Sequence, residues 1–204
     1  MAYIETTPPG EATDAVHEMY ARQQSAWGYV PNYAKVFCHR PEVMARWAKL
    51  LAEIRRPLDA RRFELVTFAA AHELRHTSCA LAHGKALTEF FDDDDVRAIA
   101  AGEPVAALTG AEEEMVRFAR KVARDASSVT LQDVEALKQH GLSDADVFDI
   151  AATAAARSFF TKLLDAVGSE PDSPFLSLNE GLRESLTVGR PIESRAVETM
   201  PRAG

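Results

Sequence analysis

The sequence is short of cysteine, of positive charge and of long apolar runs. Only two of its 204 residues are cysteines, Cys38 and Cys79, which is too few for a disulfide framework and favours reduced thiols. The formal net charge of −8 argues against nucleic acid or an anionic membrane as a partner, because both require basic patches. No run approaches the roughly 20 apolar residues of a membrane span, and no signal peptide is visible. We therefore expect a cytoplasmic protein that binds neither nucleic acid nor membrane.

The sequence also lacks strand patterns, whereas apolar residues recur at helical spacing along most of the chain. It therefore predicts an all-α helical bundle. Residues 1–175 are expected to form one domain, and residues 176–204 a polar C-terminal tail that lies on a neighbouring subunit. Capping residues and apolar periodicity predict helices over 13–24, 33–38, 41–55, 60 onward, 96–101, 111–124, 131–140 and 144–167.

A faint internal repeat relates two parts of the chain. Residues 59–65 align with residues 144–150, and alanine-rich runs follow in both copies. Similar units that share one core are the usual meaning of such a repeat. The pattern predicts two similar helical hairpins, of which only the first carries chemistry.

One stretch, residues 64–87, concentrates groups that ionise near neutral pH. His72, His76, Cys79 and His83 are spaced by 4, 3 and 4 residues, so on a continuous helix they share an arc of roughly 60°. No other segment gathers such groups, and the rest of the chain is expected to position them.

A metal site is one interpretation of this stretch. His72-Glu73-Leu74-Arg75-His76 matches the H-E-x-x-H pattern of zinc hydrolases, in which two histidines bind the metal from one helix face. Such a site needs a third ligand and an open cleft, and five-residue matches of this kind arise by chance. We therefore predict no metal and no cofactor.

A cysteine–base pair is the second interpretation. Thr77 and Ser78 are candidate N-caps, which would place Cys79 in the first turn of a helix, where the helix dipole lowers the pKa of a thiol. His83 lies one turn later and can accept the thiol proton directly or through water. The alternative is a small buried cysteine beside a histidine with a purely structural role.

Glu64 joins this pair only if the chain bends. On a straight helix Glu64 would lie about 22 Å from Cys79, but a turn near residues 73–75 would place it opposite His83. A carboxylate that orients a histidine, which in turn activates a nucleophile, is a recurrent catalytic arrangement. We predict this helical hairpin, although no glycine or proline marks the turn.

The aromatic turn at residues 27–32, Trp-Gly-Tyr-Val-Pro-Asn, has two interpretations. Its rings either close the core or form one wall of a substrate pocket, since rings on loops often line such sites.

The central stretch resembles the carboxymuconolactone decarboxylase and alkylhydroperoxidase-D-like superfamily. Its redox branch has a glutamate, eleven residues, a cysteine, two residues, a second cysteine, three residues and a histidine. Glu64, His76, Cys79 and His83 keep this spacing, with His76 in place of the first cysteine. The resemblance covers roughly residues 15–175, and the segments 28–32, 40–42 and 142–168 look like the peroxidase-related subgroup.

The resemblance implies both a fold and roles for these residues. It implies an all-α fold built around a helical hairpin, and a homo-oligomer such as a dimer, trimer or hexamer. Cys79 would attack peroxide, His83 would activate it and Glu64 would complete the proton relay. With His76 at the place of the resolving cysteine, an oxidised Cys79 would need an external thiol, or Cys38 if the fold brings it near.

Three functions follow from the resemblance. The first is a thiol-dependent peroxidase, an oxidoreductase that reduces hydroperoxides at Cys79. The second is a cofactor-free, decarboxylase-like lyase that acts on a small organic acid with His76, His83 and Glu64. The third is a helical oligomer of the same fold with no catalytic activity.

Overall fold

The structure is a computed structural model that describes residues 2–201. Within these residues the chain forms ten α-helices and no strand, so the all-α prediction is confirmed. The helices are α1 (Asp14–Trp27), α2 (Asn32–Val36), α3 (Pro41–Arg55), α4 (Ala60–Glu73), α5 (Thr77–Leu87), α6 (Asp93–Ala101), α7 (Gly110–Asp125), α8 (Leu131–Gln139), α9 (Asp144–Ala166) and α10 (Glu180–Leu186).

Helix α4 lies at the centre of the bundle. It packs against α5, α7 and α9, and the side chains of residues 65–71 are fully buried. A helix that is apolar nearly all round must be covered on every side, and Ala69, Ala70 and Ala71 allow its neighbours to approach closely. The helix that carries Glu64 is therefore held rigidly by the core.

Several of the ten described helices begin at a polar residue whose side chain caps the first turn. The side chains of Asp59, Asp92, Thr109 and Ser143 each accept a hydrogen bond from the backbone amide three residues later. Such caps satisfy amides that the first helical turn leaves unpaired. The aspartates that follow Asp92 lie in the first turn of α6, where they complement the helix dipole.

The chain bends between α4 and α5, as the position of Glu64 requires. Helix α4 ends at Glu73 and α5 begins at Thr77, with Arg75 in the left-handed region at a φ of 56°. The prediction of a hairpin is confirmed, and the interpretation of residues 72–83 as one continuous helical face is wrong.

The C-terminal segment holds this bend in place. Arg75 Nε donates to the carbonyl oxygen of Val188 at 3.1 Å, and the amide of Gly189 donates to Thr77 Oγ1 at 2.8 Å. A Cβ at position 189 would collide with the carbonyl oxygen of Arg75. These long-range contacts supply what the local sequence lacks, since residues 72–76 include no typical turn residue.

The segment after residue 175 packs on its own chain. Helix α10 contacts α5 and α6, with Leu182 and Leu186 fully buried. The close approach of Leu186 to α5 is possible because residue 84 is glycine. The expected polar tail thus includes a helix that packs on its own chain, and its contact with a neighbouring subunit stays a prediction. Two apolar residues one turn apart are too short a pattern to indicate a helix from sequence alone.

The second member of the predicted repeat is a single helix. Residues 144–150 open α9, which runs without a break to Ala166 and packs against α4. Phe160 occupies the place equivalent to Arg75 and continues the helix. The expectation of two similar hairpins is therefore wrong, because only the first segment bends.

The outer surface carries exposed apolar side chains. An apolar groove of about 480 Å³ lies between α3 and α9, and Leu50, Phe148 and Phe159 are exposed on these two helices. Such patches often mark association surfaces, and the homo-oligomer stays a prediction. None of the helices described within residues 2–201 combines the length and apolar character needed to cross a membrane.

Candidate active site

A cavity of about 340 Å³ brings together Glu64, Cys79 and His83. It lies between the α4–α5 hairpin, α3, α9 and the turn that follows α1. Its volume is at the lower end of the range for small-molecule sites. The fold therefore gathers three of the four residues that the sequence predicts for the site.

Aromatic rings form one continuous wall of this cavity. Trp27 contacts Tyr33 edge-on with ring centroids 6.4 Å apart, Tyr33 contacts Phe160 at 5.5 Å, and Phe160 stacks on Trp47 at 5.9 Å. Tyr29 and Pro31, from the aromatic turn, also line the cavity. That turn is therefore a pocket wall as well as part of the core.

Glu64 and His83 form a hydrogen-bonded pair across the hairpin. His83 Nδ1 lies 2.6 Å from Glu64 Oε2. Burial and the charge of Arg157 lower the pKa of His83, against the opposing effect of Glu64, so the imidazole is neutral at neutral pH. With Nδ1–H donating to the carboxylate, Nε2 keeps its lone pair and can act as a base.

Cys79 is nearly enclosed, with 4% of its surface exposed. Burial raises the pKa of its thiol, although Arg157 acts in the opposite direction. The expected lowering of this pKa is therefore wrong, because the loss of solvent outweighs the positive groups around the sulfur. Cys79 is a thiol at rest, and it needs a base to become a nucleophile.

Arg157 is the main site residue that the sequence analysis missed. It reaches the cavity from α9, is 4% exposed, and its Nη1 donates to Cys79 Sγ at 3.7 Å. Within residues 2–201 no carboxylate pairs with it, and its buried Nε has no hydrogen-bond partner. A signal was available, since Arg157 is the only charged residue between positions 150 and 161 and a buried arginine needs a polar partner.

His76 lies beside the cavity wall rather than on it. It is 2% exposed, and its Nδ1 accepts the backbone amide of Cys79 at 3.2 Å, so His76 is the N-cap of α5. The prediction that Thr77 or Ser78 caps this helix is wrong. Burial lowers the pKa of His76 to about 4, with further lowering by Arg157 and Arg190, which keeps its Nδ1 free of a proton and able to accept.

The zinc interpretation of residues 72–76 loses its geometric basis. The bend at Arg75 separates His72 from His76, and the His72 ring packs against Phe68 with centroids 5.8 Å apart. No group of three histidine, cysteine or acidic side chains within residues 2–201 is arranged to hold a metal ion.

The other cysteine lies apart from the cavity. Cys38 is buried in the short 3₁₀ turn after α2, and its Sγ accepts the amide of Thr7 at 3.4 Å. Both cysteines are free thiols, and Cys38 is not among the residues that line the cavity.

A second, larger cleft of about 630 Å³ lies along α7. Its lining includes Arg117, Lys121 and Arg124, but each is paired with a carboxylate, from Glu114, Asp133 and Glu73 respectively. Its described lining includes no cysteine or histidine, whereas the smaller cavity holds both, so the smaller cavity is the candidate active site.

The fold of this chain is similar to that of several solved structures. Comparison with solved structures shows that the chain has the fold of the alkylhydroperoxidase AhpD core, as found in peroxidase-related proteins. No protein-family model matches the sequence, and no curated protein matches it.

Two of the similar structures are peroxidase-related proteins. The alkylhydroperoxidase AhpD core protein of Ralstonia eutropha JMP134, an uncharacterized peroxidase-related protein, is 22% identical with a TM-score of 0.73, over 93% of this chain and 98% of that one. An uncharacterized peroxidase-related protein of Silicibacter sp. TM1040 is 20% identical with a TM-score of 0.73, over 86% of this chain and 94% of that one.

A third similar structure is the debrominase Bmp8. A cysteine-to-alanine variant of Bmp8 in complex with 2,3,4-tribromopyrrole is 14% identical with a TM-score of 0.65, over 84% of this chain and 89% of that one. At these identities the likeness establishes the fold, and any shared reaction requires support from the site itself.

Proposed function

We propose that this protein is a thiol-dependent oxidoreductase that reduces organic hydroperoxides at Cys79. One observation carries the proposal. The Cys79 sulfur lies 3.7 Å from the buried guanidinium of Arg157, which no carboxylate within residues 2–201 pairs with, in a cavity that also holds the Glu64–His83 pair.

In the first half of the proposed cycle Cys79 is oxidised. Neutral His83, oriented by Glu64, accepts the thiol proton, and Arg157 stabilises the resulting thiolate. The sulfur attacks the outer oxygen of the hydroperoxide, and the oxygen–oxygen bond breaks. The alkoxide takes the proton from His83 and leaves as an alcohol, and Cys79 becomes a sulfenic acid.

In the second half an external thiol restores Cys79. Position 76 holds a histidine, and Cys38 does not line the cavity, so the described site offers no second thiol. One external thiol condenses with the sulfenic acid to give a mixed disulfide and water, and a second thiol displaces Cys79. In total, one hydroperoxide and two thiols yield one alcohol, one water and one disulfide.

The test is consumption of cumene hydroperoxide in the presence of dithiothreitol. We expect turnover by the native protein, loss of turnover in Cys79→Ser, and retained turnover in the matched control Cys38→Ser. After peroxide alone, dimedone should label Cys79, as read by mass spectrometry of peptides. Absence of turnover in the native protein, or turnover that survives Cys79→Ser, would reject the proposal.

A second reaction of the same thiol is removal of halogen from an aromatic ring. The aromatic wall of the cavity and the structural likeness to a debrominase favour it. Release of bromide from 2,3,4-tribromopyrrole with added thiol, lost in Cys79→Ser, would support it, and no release would reject it. The predicted decarboxylase-like lyase has less support. It would use His76, but His76 Nδ1 already accepts a hydrogen bond from the backbone amide of Cys79.

A further inference from the structure

Asp172 lines the same cavity as Cys79 but takes no part in the thiol cycle. It lies in the loop after α9 and is 6% exposed. Its Oδ1 accepts the backbone amide of Asn32 at 2.8 Å, at the start of α2. Within residues 2–201 the only other donor to this carboxylate is its own backbone amide, so the protein supplies few partners to an acceptor that lines the cavity.

The charge of Asp172 is only partly compensated by its neighbours. Lys35 pairs with Glu198 at 3.1 Å, and Arg195 pairs with Glu193 at 2.6 Å. Burial raises the pKa of Asp172 to about 6, against the lowering effects of Asn32 and Lys35. At neutral pH it is still mainly a carboxylate.

The hydrogen bond between Asp172 and the start of α2 does not require a charged acceptor. A single neutral acceptor would satisfy the amide of Asn32, and a buried carboxylate with few partners destabilises a fold. The side chain of Asn32 is itself bound by Glu193, with Nδ2 donating to Oε2 at 2.6 Å. The carboxylate of Asp172 is thus unexplained by the packing of the loop.

The surroundings of Asp172 indicate what kind of molecule its carboxylate can bind in the cavity. Tyr33 lines the same cavity as Asp172 and Cys79. The Tyr33 ring belongs to the aromatic wall and contacts Phe160. A flat apolar molecule can therefore stack on this wall within reach of both the carboxylate and the thiol.

We propose that Asp172 anchors a ring-containing substrate by accepting a hydrogen bond from an N–H or O–H group of that substrate. The cavity then selects aromatic or heteroaromatic molecules that carry such a donor. This assignment rests on the proposed function only in taking this cavity as the substrate site.

The test is binding of two ligands of the same shape to the reduced native protein, without peroxide. Indole carries an N–H donor, and benzofuran has an oxygen in its place. A hydrogen bond to a charged acceptor predicts that indole binds roughly tenfold or more tightly, as measured by isothermal titration calorimetry.

Two variants separate anchoring from a structural role. Asp172→Asn keeps an acceptor for Asn32 but presents an amide to the cavity, so the preference for indole should disappear. Glu193→Gln alters the other carboxylate that binds Asn32 and should keep the preference, because Glu193 does not line this cavity. Circular dichroism confirms that both variants are folded.

Several outcomes would overturn the proposal. In the native protein these are equal affinity for indole and benzofuran, or no binding of indole up to its solubility limit. In the variants they are a preference for indole that survives Asp172→Asn, or a preference that Glu193→Gln abolishes as completely as Asp172→Asn does. Because no peroxide is present, the result is independent of turnover. A protein that prefers indole through Asp172 but fails to reduce hydroperoxide would reject the peroxidase function alone.

Discussion

Replacing Asp172 by asparagine should stabilise the protein at neutral pH. Burial raises the pKa of this carboxyl from an ordinary value of 3.8 to about 6 in the folded protein. The folded state therefore binds the proton more tightly than the unfolded state, and ionisation costs the folded state free energy. Asparagine resembles the neutral form in shape and avoids this cost.

The sign and the size of this change in stability follow from the shift in the pKa of Asp172. Because the folded pKa is the higher one, the stability associated with this group is fully present below pH 3.8 and is lost as the pH rises through about 6. A shift of about two units corresponds to about 3 kcal/mol at 1.36 kcal/mol per unit. The free energy of unfolding of Asp172→Asn should thus be close to that of the native protein near pH 4 and higher by up to about 3 kcal/mol at pH 7.

Urea unfolding at a series of pH values measures this difference. Glu193→Gln is the matched control and should change with the opposite sign. Although burial acts to raise the pKa of Glu193, hydrogen bonding from Asn32 and the charge of Arg195 lower it overall, so losing this carboxylate should destabilise the protein at neutral pH. A stability difference for Asp172→Asn that is absent at pH 7, or unchanged between pH 4 and pH 7, would refute the reasoning.

Two further predictions concern the surroundings of the thiol. Replacing Arg157 by leucine removes a charge and a hydrogen bond that lower the pKa of Cys79. Alkylation of Cys79 by iodoacetamide should therefore slow at pH 7, and the pH dependence of its rate should shift to higher pH, whereas lysine at position 157 should retain part of the native rate. An unchanged pH dependence in the leucine variant would contradict the role of Arg157 in lowering this pKa. Replacing His76 by alanine removes the cap of α5 and should cost about 1 kcal/mol in urea unfolding. Asparagine at position 76 can still cap and should restore most of that loss, and equal losses in both variants would argue against capping.

The helices and the hairpin could be predicted from the sequence because each depends on a local pattern or on a chemical requirement. Caps such as Asp59 and Ser143 act within three residues, so they are visible in the chain. The hairpin followed from a chemical requirement, namely that Glu64 meet His83, and the two side chains lie 2.6 Å apart. The contacts that fix the bend come from residues 188 and 189, more than 110 positions away, and no local pattern reveals them.

The polar groups of the cavity were harder to predict from sequence than its nucleophile. Cys79 and His83 share one helix, so their spacing is informative. Arg157 belongs to α9 and Asp172 to the loop after it, and their approach to the site depends on how α9 packs against α4. Arg157 stood out as an isolated charge in an apolar helix, whereas the neighbours of Asp172 resemble an ordinary polar loop.

The enclosure of Cys79 determines how the two halves of the proposed cycle follow each other. With 4% of its surface exposed, Cys79 is reached through the cavity, whose volume is about 340 Å³. A hydroperoxide and a reducing thiol therefore use the same space, and the alcohol must leave before the thiol enters. His76 caps α5 and gives the first turn of that helix a stable start. Because the described lining of the cavity offers no second thiol, the proposed cycle leaves the reduction of Cys79 to a molecule small enough to fit against the aromatic wall.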